Sequence, residues 1–372
     1  MTDSQSQDSD SSSVFRILDA AINRAGEGVR VVEDYVRMVL QDQHLARQLK
    51  QLRHDLTQAV AGIDSGLRIA SRDTMGDVGC DIETESEYKR AQIEGSVSSI
   101  ETKPSSGMVQ ANMARAQQAL RTIEEFSKTI HSDIAKSVEQ LRYRTYTIEK
   151  AVLTTLVSLQ NFGTTGLYVL LNGCGSASGD ATALADLVQK MIDAKVDFIQ
   201  LRDKTLTDKQ MVIAGRVVAK LTRGTETRFI MNDRADLAVA ATADGVHLGQ
   251  DDIDVADARR IVGAARIIGV STHSIEQARQ AVLDGANYIG VGPVFPSQTK
   301  SFKQHVGVKL VQQVVNEIQL PAFAIGGIHL ENVGEIVKAG LNRVAVSGAI
   351  VRTNDPSAVA LQLNQELLIQ NS

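Results

Sequence analysis

The chain has 372 residues, of which 43 % are hydrophobic and only 4 % aromatic, with no Trp and a formal net charge of −5. That length suits two domains, and an aliphatic interior suits helices and parallel strands better than a β-sandwich. The negative balance gives no global field for nucleic acid, and no apolar run is long enough to span a bilayer.

The chain begins "MTDSQSQDSDSSS", acidic and polar with no apolar core. This is not a signal peptide, and residues 1–13 are predicted as a disordered tail. Residues 14–160 are predicted as an all-α helical-bundle domain. In "RILDAAINRAGEGVRVVEDYVRMVL", Ile22, Ala25, Val29, Val32 and Val36 recur at helical spacing. A second segment, "VQANMARAQQALRTIEEFSK", repeats the register: Ala20, Arg24, Ala25, Arg30 and Glu33 match Ala111, Arg115, Ala116, Arg121 and Glu124 at a constant offset. "QLRH" from Gln51 is echoed by "QLRY" from Gln140. The pattern predicts a duplicated helical hairpin, hence four helices about a pseudo-two-fold axis. The polar connection from Ser71 to Gly107 is too long for a bundle turn. The two cysteines, Cys80 and Cys174, lie far apart and show neither zinc spacing nor a disulfide framework, which suits a reducing, cytoplasmic setting.

Residues 161–372 change period. Apolar runs "GLYVLL", "DFIQLR", "RFIMND", "DGVHLG", "RIIGVS", "YIGVGPVF", "PAFAIGG" and "RVAVSGA" alternate with helical segments. Eight strand–helix units predict a parallel (β/α)8 TIM barrel; an open doubly wound sheet is the alternative, disfavoured because no strand reads as a polar edge. The fold class is therefore α/β, a C-terminal barrel preceded by an all-α bundle.

In such a barrel, chemistry collects at the C-terminal strand ends. Those ends carry Gln200, Arg202 and Lys204 after strand two, Asn232 and Asp233 after strand three, and Gln250, Asp251 and Asp252 after strand four. Ser271 and His273 follow strand five; Ser297, Thr299 and Lys300 follow strand six; Gly326 and Gly327 follow strand seven; Val346 and Ser347 end strand eight. Three sub-sites emerge. Asp233 and Asp252, with no His or Cys beside them, suit Mg2+ held by few protein ligands, or else they cap the helices that follow. Arg202, Lys204, Ser271, Thr299 and Lys300 suit a diphosphate, or else form a solvated rim. Gly327, Val346 and Ser347 suit a monophosphate at a helix N-terminus, or else the glycines only make a turn. His247, inside "GVHLG", reads as a buried, hydrogen-bonded histidine, whereas His273 lies near the mouth.

The ordered set "QLRDK", "NDRADLAVAATADGVHLGQDD", "GVSTHS", "GVGPVFPSQTK", "AIGGI" and "VAVSGAI" resembles the thiamine-phosphate synthase family over roughly residues 165–365. The resemblance implies a transferase of thiamine biosynthesis. It would join 4-amino-5-hydroxymethyl-2-methylpyrimidine diphosphate to 4-methyl-5-(2-phosphoethyl)thiazole, giving thiamine phosphate and diphosphate. By position it implies that Gln200, Arg202, Lys204, Asn232 and Ser271 contact the pyrimidine diphosphate and that Asp233 and Asp252 hold Mg2+. Lys300 would reach the diphosphate, making Lys204, Arg202 and Lys300 the catalytic charges. Ser297, Thr299, Gly327, Val346 and Ser347 would surround the thiazole phosphate. The implied mechanism is dissociative, and no Ser–His–Asp order or poised Cys competes with it. Two departures stand out: Ser297 occupies a usual Thr position, and Leu171–Asn172 replace a Thr-Asp type pair. The alternatives are a thiazole tautomerase of the same barrel family and a non-catalytic phosphate-binding barrel. Lys204, the Asn232–Asp233 pair and Thr299–Lys300 argue against the tautomerase, and a non-catalytic barrel predicts gaps in the acidic pair that the sequence does not show.

Upstream, "RILDAAINRAGEGVRVVEDYVR" and "SRDTMGDVG" resemble a helical domain fused to some family members and proposed as a hydroxymethylpyrimidine-phosphate kinase. No P-loop is present. Arg24, Arg30, Arg115 and Arg121 with Glu33 and Glu124 form either a site or interhelical ion pairs. Asp73 and Asp77 either bind Mg2+ or cap turns, and the domain is a kinase or a dimerisation or tethering module. The expected partners are the two small-molecule substrates, without nucleic acid or membrane; a homo-oligomer is compatible with the sequence.

Overall fold

Eight short runs of aliphatic and β-branched residues, buried along almost their whole length, set the architecture of the C-terminal half. Strands covered on both faces read as continuous apolar runs because helices pack outside and side chains fill the inside. In the computed structural model they are β1 (Gly166–Asn172), β2 (Phe198–Arg202), β3 (Arg228–Asn232), β4 (Gly245–Leu248), β5 (Ile267–Thr272), β6 (Tyr288–Val291), β7 (Ala322–Ile325) and β8 (Arg343–Val346). They pair in sequence order, all parallel, and β8 closes on β1. The expected (β/α)8 barrel is therefore present, and the open sheet is not. The described residues are 3–73, 106–164, 166–172, 181–296 and 305–368, without the side chains of 3–11, 172 and 181. The chain divides into two compact units: Met1–Gln41 with Leu45–Glu149, and Asp42–His44 with Lys150–Ser372.

In the first unit, α1 (Asp3–Tyr35) packs along α4 (Ser106–Ser127), with α2 (Gln43–Ala59), α3 (Ser65–Ala70) and α5 (Ser132–Phe162) following in the chain as a whole. The first helix starts at Asp3, so residues 3–13 extend it where a disordered tail was expected. Adding a turn to an already nucleated helix is cheap, even for a segment with no apolar residue. The duplication is visible in the packing. Buried Glu33 of α1 pairs with Arg53 of α2 at 2.5 Å, and buried Glu124 of α4 pairs with Arg142 of α5 at 2.9 Å. Arg53 and Arg142 are the arginines of the two "QLR" repeats. Arg144 reaches Asp55 at 2.5 Å, tying α5 to α2 and completing a ring of four helices. Where α1 crosses α4, Gly28 is required: a Cβ there would lie 2.7 Å from the Asn112 carbonyl.

In the barrel, helices α6 (Ala181–Asp193), α7 (Asp208–Thr222), α8 (Ala235–Ala240), α9 (Val255–Val262), α10 (Ile275–Asp284), α11 (Gly307–Glu317), α12 (Val333–Lys338), α13 (Gly348–Val351) and α14 (Pro356–Leu368) follow the strands. Side chains alternate along each strand, so every second residue points inward. At the strand starts the inward residues are Tyr168, Phe198, Tyr288 and Phe323, which pack with Leu170, Ile230, Ala345 and Phe162. Phe162, from the end of α5, stacks on Phe198 with ring centroids 5.1 Å apart and closes the N-terminal end of the barrel. Tyr288 has room only because its neighbour in β5 is Gly269, where a Cβ would sit 2.0 Å from the ring.

Gly269→Ala is therefore expected to destabilise the protein by about 3 kcal/mol through overpacking. Gly334→Ala, in α12 with open space around it, should be neutral or stabilising by roughly 0.5–1 kcal/mol. Denaturant midpoints of the two variants against the parent check the contrast.

Candidate active site

The C-terminal end of the barrel is built by the residues one or two steps beyond each strand's buried stretch. At β3 the chain turns tightly around Asp233. The Arg234 N–H donates to the Asn232 carbonyl at 2.7 Å, and Asp233 sits at φ 59°. A left-handed non-glycine residue in a three-residue turn is strained and marks a position held by its surroundings. The Asp233 N–H donates to the His247 carbonyl at 2.8 Å, fastening the turn to β4. Its carboxyl has a raised pKa, first because it is partly buried and then because the Asp252 carboxyl lies against it and hydrogen-bonds to it. The charges of Lys204 and Arg202 pull the other way. Arg202, Lys204, Asp233 and Asp252 thus share one electrostatic neighbourhood.

Neither acid caps a helix. The N-cap of α8 is Arg234, without a side-chain bond, and α9 is capped by Asp254, which accepts from the Asp257 N–H at 2.7 Å. Asp252 instead accepts from the Gly249 N–H at 2.6 Å. Two carboxyl groups in contact need either a shared proton or a cation, so the pair fits a divalent ion. Among the described residues no cluster of three or more His, Cys, Asp or Glu exists. A cation here would take its remaining ligands from water or substrate oxygens, as Mg2+ commonly does.

On the β2 side, Lys204 is exposed and Arg202 half-buried, while Asp203 between them is buried. Asp203 Oδ1 accepts from the Thr205 N–H at 2.9 Å and its hydroxyl at 2.7 Å, and Oδ2 has no partner. This carboxylate folds the loop that presents Lys204. In the sequence the cations of "RDK" stand out and the acid between them does not. The available signal was alternation: with Arg202 inward, Asp203 must point outward, toward the helices.

Inside the barrel a line of polar side chains runs upward from the aromatic floor. The Gln200 amide donates to Tyr168 Oη at 2.7 Å, Tyr168 and Tyr288 hydroxyls are 2.9 Å apart, and Tyr288 Oη lies 2.9 Å from His247 Nδ1. His247 Nε2 is 2.9 Å from Ser271 Oγ. Burial pushes the imidazole pKa down to about 4, so at neutral pH the ring has one N–H and one acceptor nitrogen. Counting protons then orients the line. Tyr168, already accepting from Gln200, donates to Tyr288; Tyr288 donates to Nδ1; Nε2–H donates to Ser271. The Ser271 hydroxyl keeps its own proton to donate to a ligand. His247 is thus the buried histidine expected, but it also sets the hydrogen-bonding role of a candidate site residue. His273 bonds through Nδ1 to the Gly292 carbonyl.

At β7 and β8, Gly326 (φ 101°) and Gly327 (φ 66°) face the chain after β6. A Cβ would lie 2.7 Å from Pro293 at the first and 2.3 Å from the Pro296 carbonyl at the second. The glycines therefore serve close packing of the loop as well as any ligand. Ser347 Oγ donates to the Leu170 carbonyl at 2.8 Å, so its hydroxyl is engaged within the barrel. Val346 has its side chain buried away from the mouth, so only its backbone can serve. Gln200 is 2 % exposed, one step below Arg202 on β2. Ser297, Thr299 and Lys300, with Asp77 upstream, lie outside the described residues. Of the duplicated arginines, Arg30 pairs with Asp34 at 3.0 Å and Arg121 with Glu124 at 2.7 Å, whereas Arg24 and Arg115 make no such pair among the described residues.

Residues 174–350 match the family model described as thiamine monophosphate synthase, and residues 16–151 match the ThiD2 family. The chain is 41 % identical over 346 residues to a thiamine-phosphate synthase of Rhodopirellula baltica, covering 92 % of this chain and 89 % of that one. A thiamine-phosphate synthase of a Synechocystis species is 37 % identical, covering 97 % and 98 %. Among solved structures, a thiamine phosphate pyrophosphorylase from Pyrococcus furiosus is 30 % identical, with a TM-score of 0.49, over 55 % of this chain and 96 % of that one. No described helix is long and apolar enough to cross a membrane.

His247→Phe should cost about 2–4 kcal/mol, because it strands the buried Tyr288 hydroxyl and removes the partner of the half-buried Ser271 hydroxyl. Combined with Tyr288→Phe, the loss should fall short of the sum of the single losses by ~1 kcal/mol or more. Urea unfolding of the four proteins in that cycle measures both effects.

Proposed function

Because the chain belongs to the thiamine-phosphate synthase family, we propose a specific division of labour among its residues. The enzyme is a transferase of thiamine biosynthesis that makes thiamine phosphate. Its substrates in this reading are the hydroxymethylpyrimidine diphosphate and the thiazole phosphate. Residues 161–372 form the synthase domain and 14–160 the helical one. The observation that carries the reading is the meeting of Lys204 and Arg202 with the Asp233–Asp252 pair at one end of the barrel.

Arg202, Lys204 and Lys300 hold the diphosphate as the C–O bond to the pyrimidine methylene breaks and the electron pair leaves with oxygen. The amino group of the pyrimidine ring supplies electrons to that methylene, and the thiazole nitrogen then attacks it. The charged side chains stabilise negative charge that grows only as the bond opens, so their effect falls on turnover. Asp233 and Asp252 would hold Mg2+, which, when bound, neutralises part of the diphosphate charge. Ser271 donates its hydroxyl proton to the pyrimidine substrate, while Asn232 and Gln200 line its side of the mouth. Ser297, Thr299 and the backbone at Gly327, Val346 and Ser347 take the thiazole phosphate. We place the enzyme in the cytoplasm, in keeping with two cysteines that suggest no disulfide framework.

For the helical domain, the match to the ThiD2 family supports a hydroxymethylpyrimidine-phosphate kinase. That activity would supply the diphosphate the barrel consumes.

Mixing both substrates with Mg2+ should release thiamine phosphate and diphosphate in equal amounts; a tautomerase would release no diphosphate. Lys204→Ala should lower kcat by about 10²–10³ with little change in KM for the thiazole phosphate. Parental kcat with a raised KM for the diphosphate would move the leaving-group role to Arg202 or Lys300. Asp233→Asn should lower turnover and weaken the dependence on added Mg2+, and full activity of the parent in excess chelator would remove the metal assignment.

The kinase reading has its own assay. Given ATP, the pyrimidine monophosphate and the thiazole phosphate, the full chain should form thiamine phosphate without added pyrimidine diphosphate. Absence of product, with the coupling step intact, would leave the helical domain a structural module.

A further inference from the structure

Most arginines repeated in the helical unit are consumed by structure. Arg30, Arg53, Arg121 and Arg142 all bind carboxylates of their own or neighbouring helices. Arg24 on α1 and Arg115 on α4 are different. They occupy equivalent positions in the two repeats, both are exposed, and neither makes an ion pair or hydrogen bond among the described residues. Both line a single cleft of about 1060 Å³ between α1 and α4. The helices approach closely there because Gly28 leaves its backbone against Asn112.

The cleft contrasts with the rest of the chain. The protein as a whole has a net charge of −5. Among the described lining residues, however, Arg16, Arg24 and Arg115 face only one acid, Glu27. Arg16 is partly neutralised, since it pairs with Asp73 at 3.7 Å. Arg24 and Arg115 make no ion pair, with Glu27 or any other acid, among the described residues. Arg30 and Arg121 are neutralised by ion pairs to acids one turn away, whereas Glu27, one turn from Arg24, makes no ion pair with it among the described residues, and two cations kept near each other in this way cost free energy. The unpaired arrangement makes sense if an anion supplies the missing charge.

We propose that this cleft is a binding site for a small molecule carrying a phosphate or diphosphate group, clamped between Arg24 and Arg115. Two guanidinium forks approaching from opposed helices can each make paired hydrogen bonds to a tetrahedral phosphoryl group. The repeat does not extend to the remaining contacts. Glu27 of α1 corresponds to Gln118 of α4, and Ala21 of α1 to Asn112 of α4. Symmetric arginines therefore bind the symmetric part of the ligand, the phosphoryl group. Asymmetric Glu27, Gln118 and Asn112 recognise its unsymmetrical remainder, a ring carrying hydrogen-bonding groups, with Glu27 accepting from an amino donor. The volume suits a small ligand, and three arginines in one cleft are too few for a nucleic-acid track. This inference deepens the reading of the helical domain but concerns binding alone, so it holds whether or not that domain transfers a phosphoryl group.

The test uses the full chain labelled with ¹⁵N-arginine at about pH 6, where guanidinium Nε–H signals persist. The signals of Arg24 and Arg115 are those missing from Arg24→Ala and Arg115→Ala. Titration with inorganic phosphate and with diphosphate should move both signals together, saturably, with one midpoint. In Arg115→Ala the midpoint seen by Arg24 should rise at least tenfold, and Arg115→Lys should restore part of it. The readout is local, so phosphate binding in the barrel does not enter it. Independent midpoints, an unchanged midpoint in Arg115→Ala, or a linear drift matched by chloride at equal ionic strength would overturn the site. Saturable binding with no ATP-dependent product would retire only the kinase reading.

Discussion

Closure of the barrel is the constraint on which the rest depends. Eight parallel strands hydrogen-bonded in a ring have no free edge, and the enclosed space must be filled by every second side chain. At one end that parity delivers Tyr168, Phe198, Tyr288 and Phe323, sealed by Phe162. Further along the barrel it delivers Gln200 from β2, His247 from β4 and Ser271 from β5, and then Arg202 and Asn232 at the ends of β2 and β3. A residue's chemistry thus follows from its distance along the strand: aromatic at the floor, polar midway, charged at the rim. A one-residue slip would exchange Arg202 with Asp203 and turn the site inside out.

The charges at the rim are arranged by strand adjacency. The cations leave β2, while the acids leave β3 and β4. Neighbouring strands bring their loops together without long connections, so opposite charges meet across one strand gap and like charges meet across the next. The contact between Asp233 and Asp252 is unfavourable for folding by itself. The fold holds it by the Gly249 amide, the strained turn at Asp233 and the field of Arg202 and Lys204. Such a cluster is tolerable where a ligand or ion completes it.

Much of this was legible in the sequence. Six of the eight strands lie within the apolar runs that announce them, and β1 and β5 overrun theirs by one residue, since strands buried on both faces have a strong compositional signature. The repeat in the helical half was visible as matched residues at a constant offset. Other features depended on geometry that spacing does not encode. Whether Asp233 and Asp252 cap helices could not be read from "NDRADLAV" or "DDIDVADARR"; it turned on which residue the helix admits as its first, and Asp254 took that place. The four repeated arginines look alike in sequence, yet Arg30 pairs with Asp34 and Arg121 with Glu124, whereas Arg24 makes no ion pair with Glu27 one turn away and Arg115 has no acid at that spacing. Gly269 reads as an unremarkable strand residue until Tyr288 is seen beside it. The helical start at Asp3 was hidden because polar residues carry no periodicity.

The line from Gln200 to Ser271 has a consequence for recognition at a distance. Each hydroxyl in it holds one proton, and the imidazole ring holds one between its two nitrogens, so each member can face either way, but the members cannot choose independently. Reversing one bond reverses them all. A half-turn of the Gln200 amide, presenting oxygen to Tyr168 in place of nitrogen, would move His247 to its other tautomer and make Ser271 accept from a ligand's donor at the mouth, its own proton now committed to Nε2. The barrel's interior thereby behaves as a two-position relay, in which an amide beside the aromatic floor decides the polarity that a ligand meets above it.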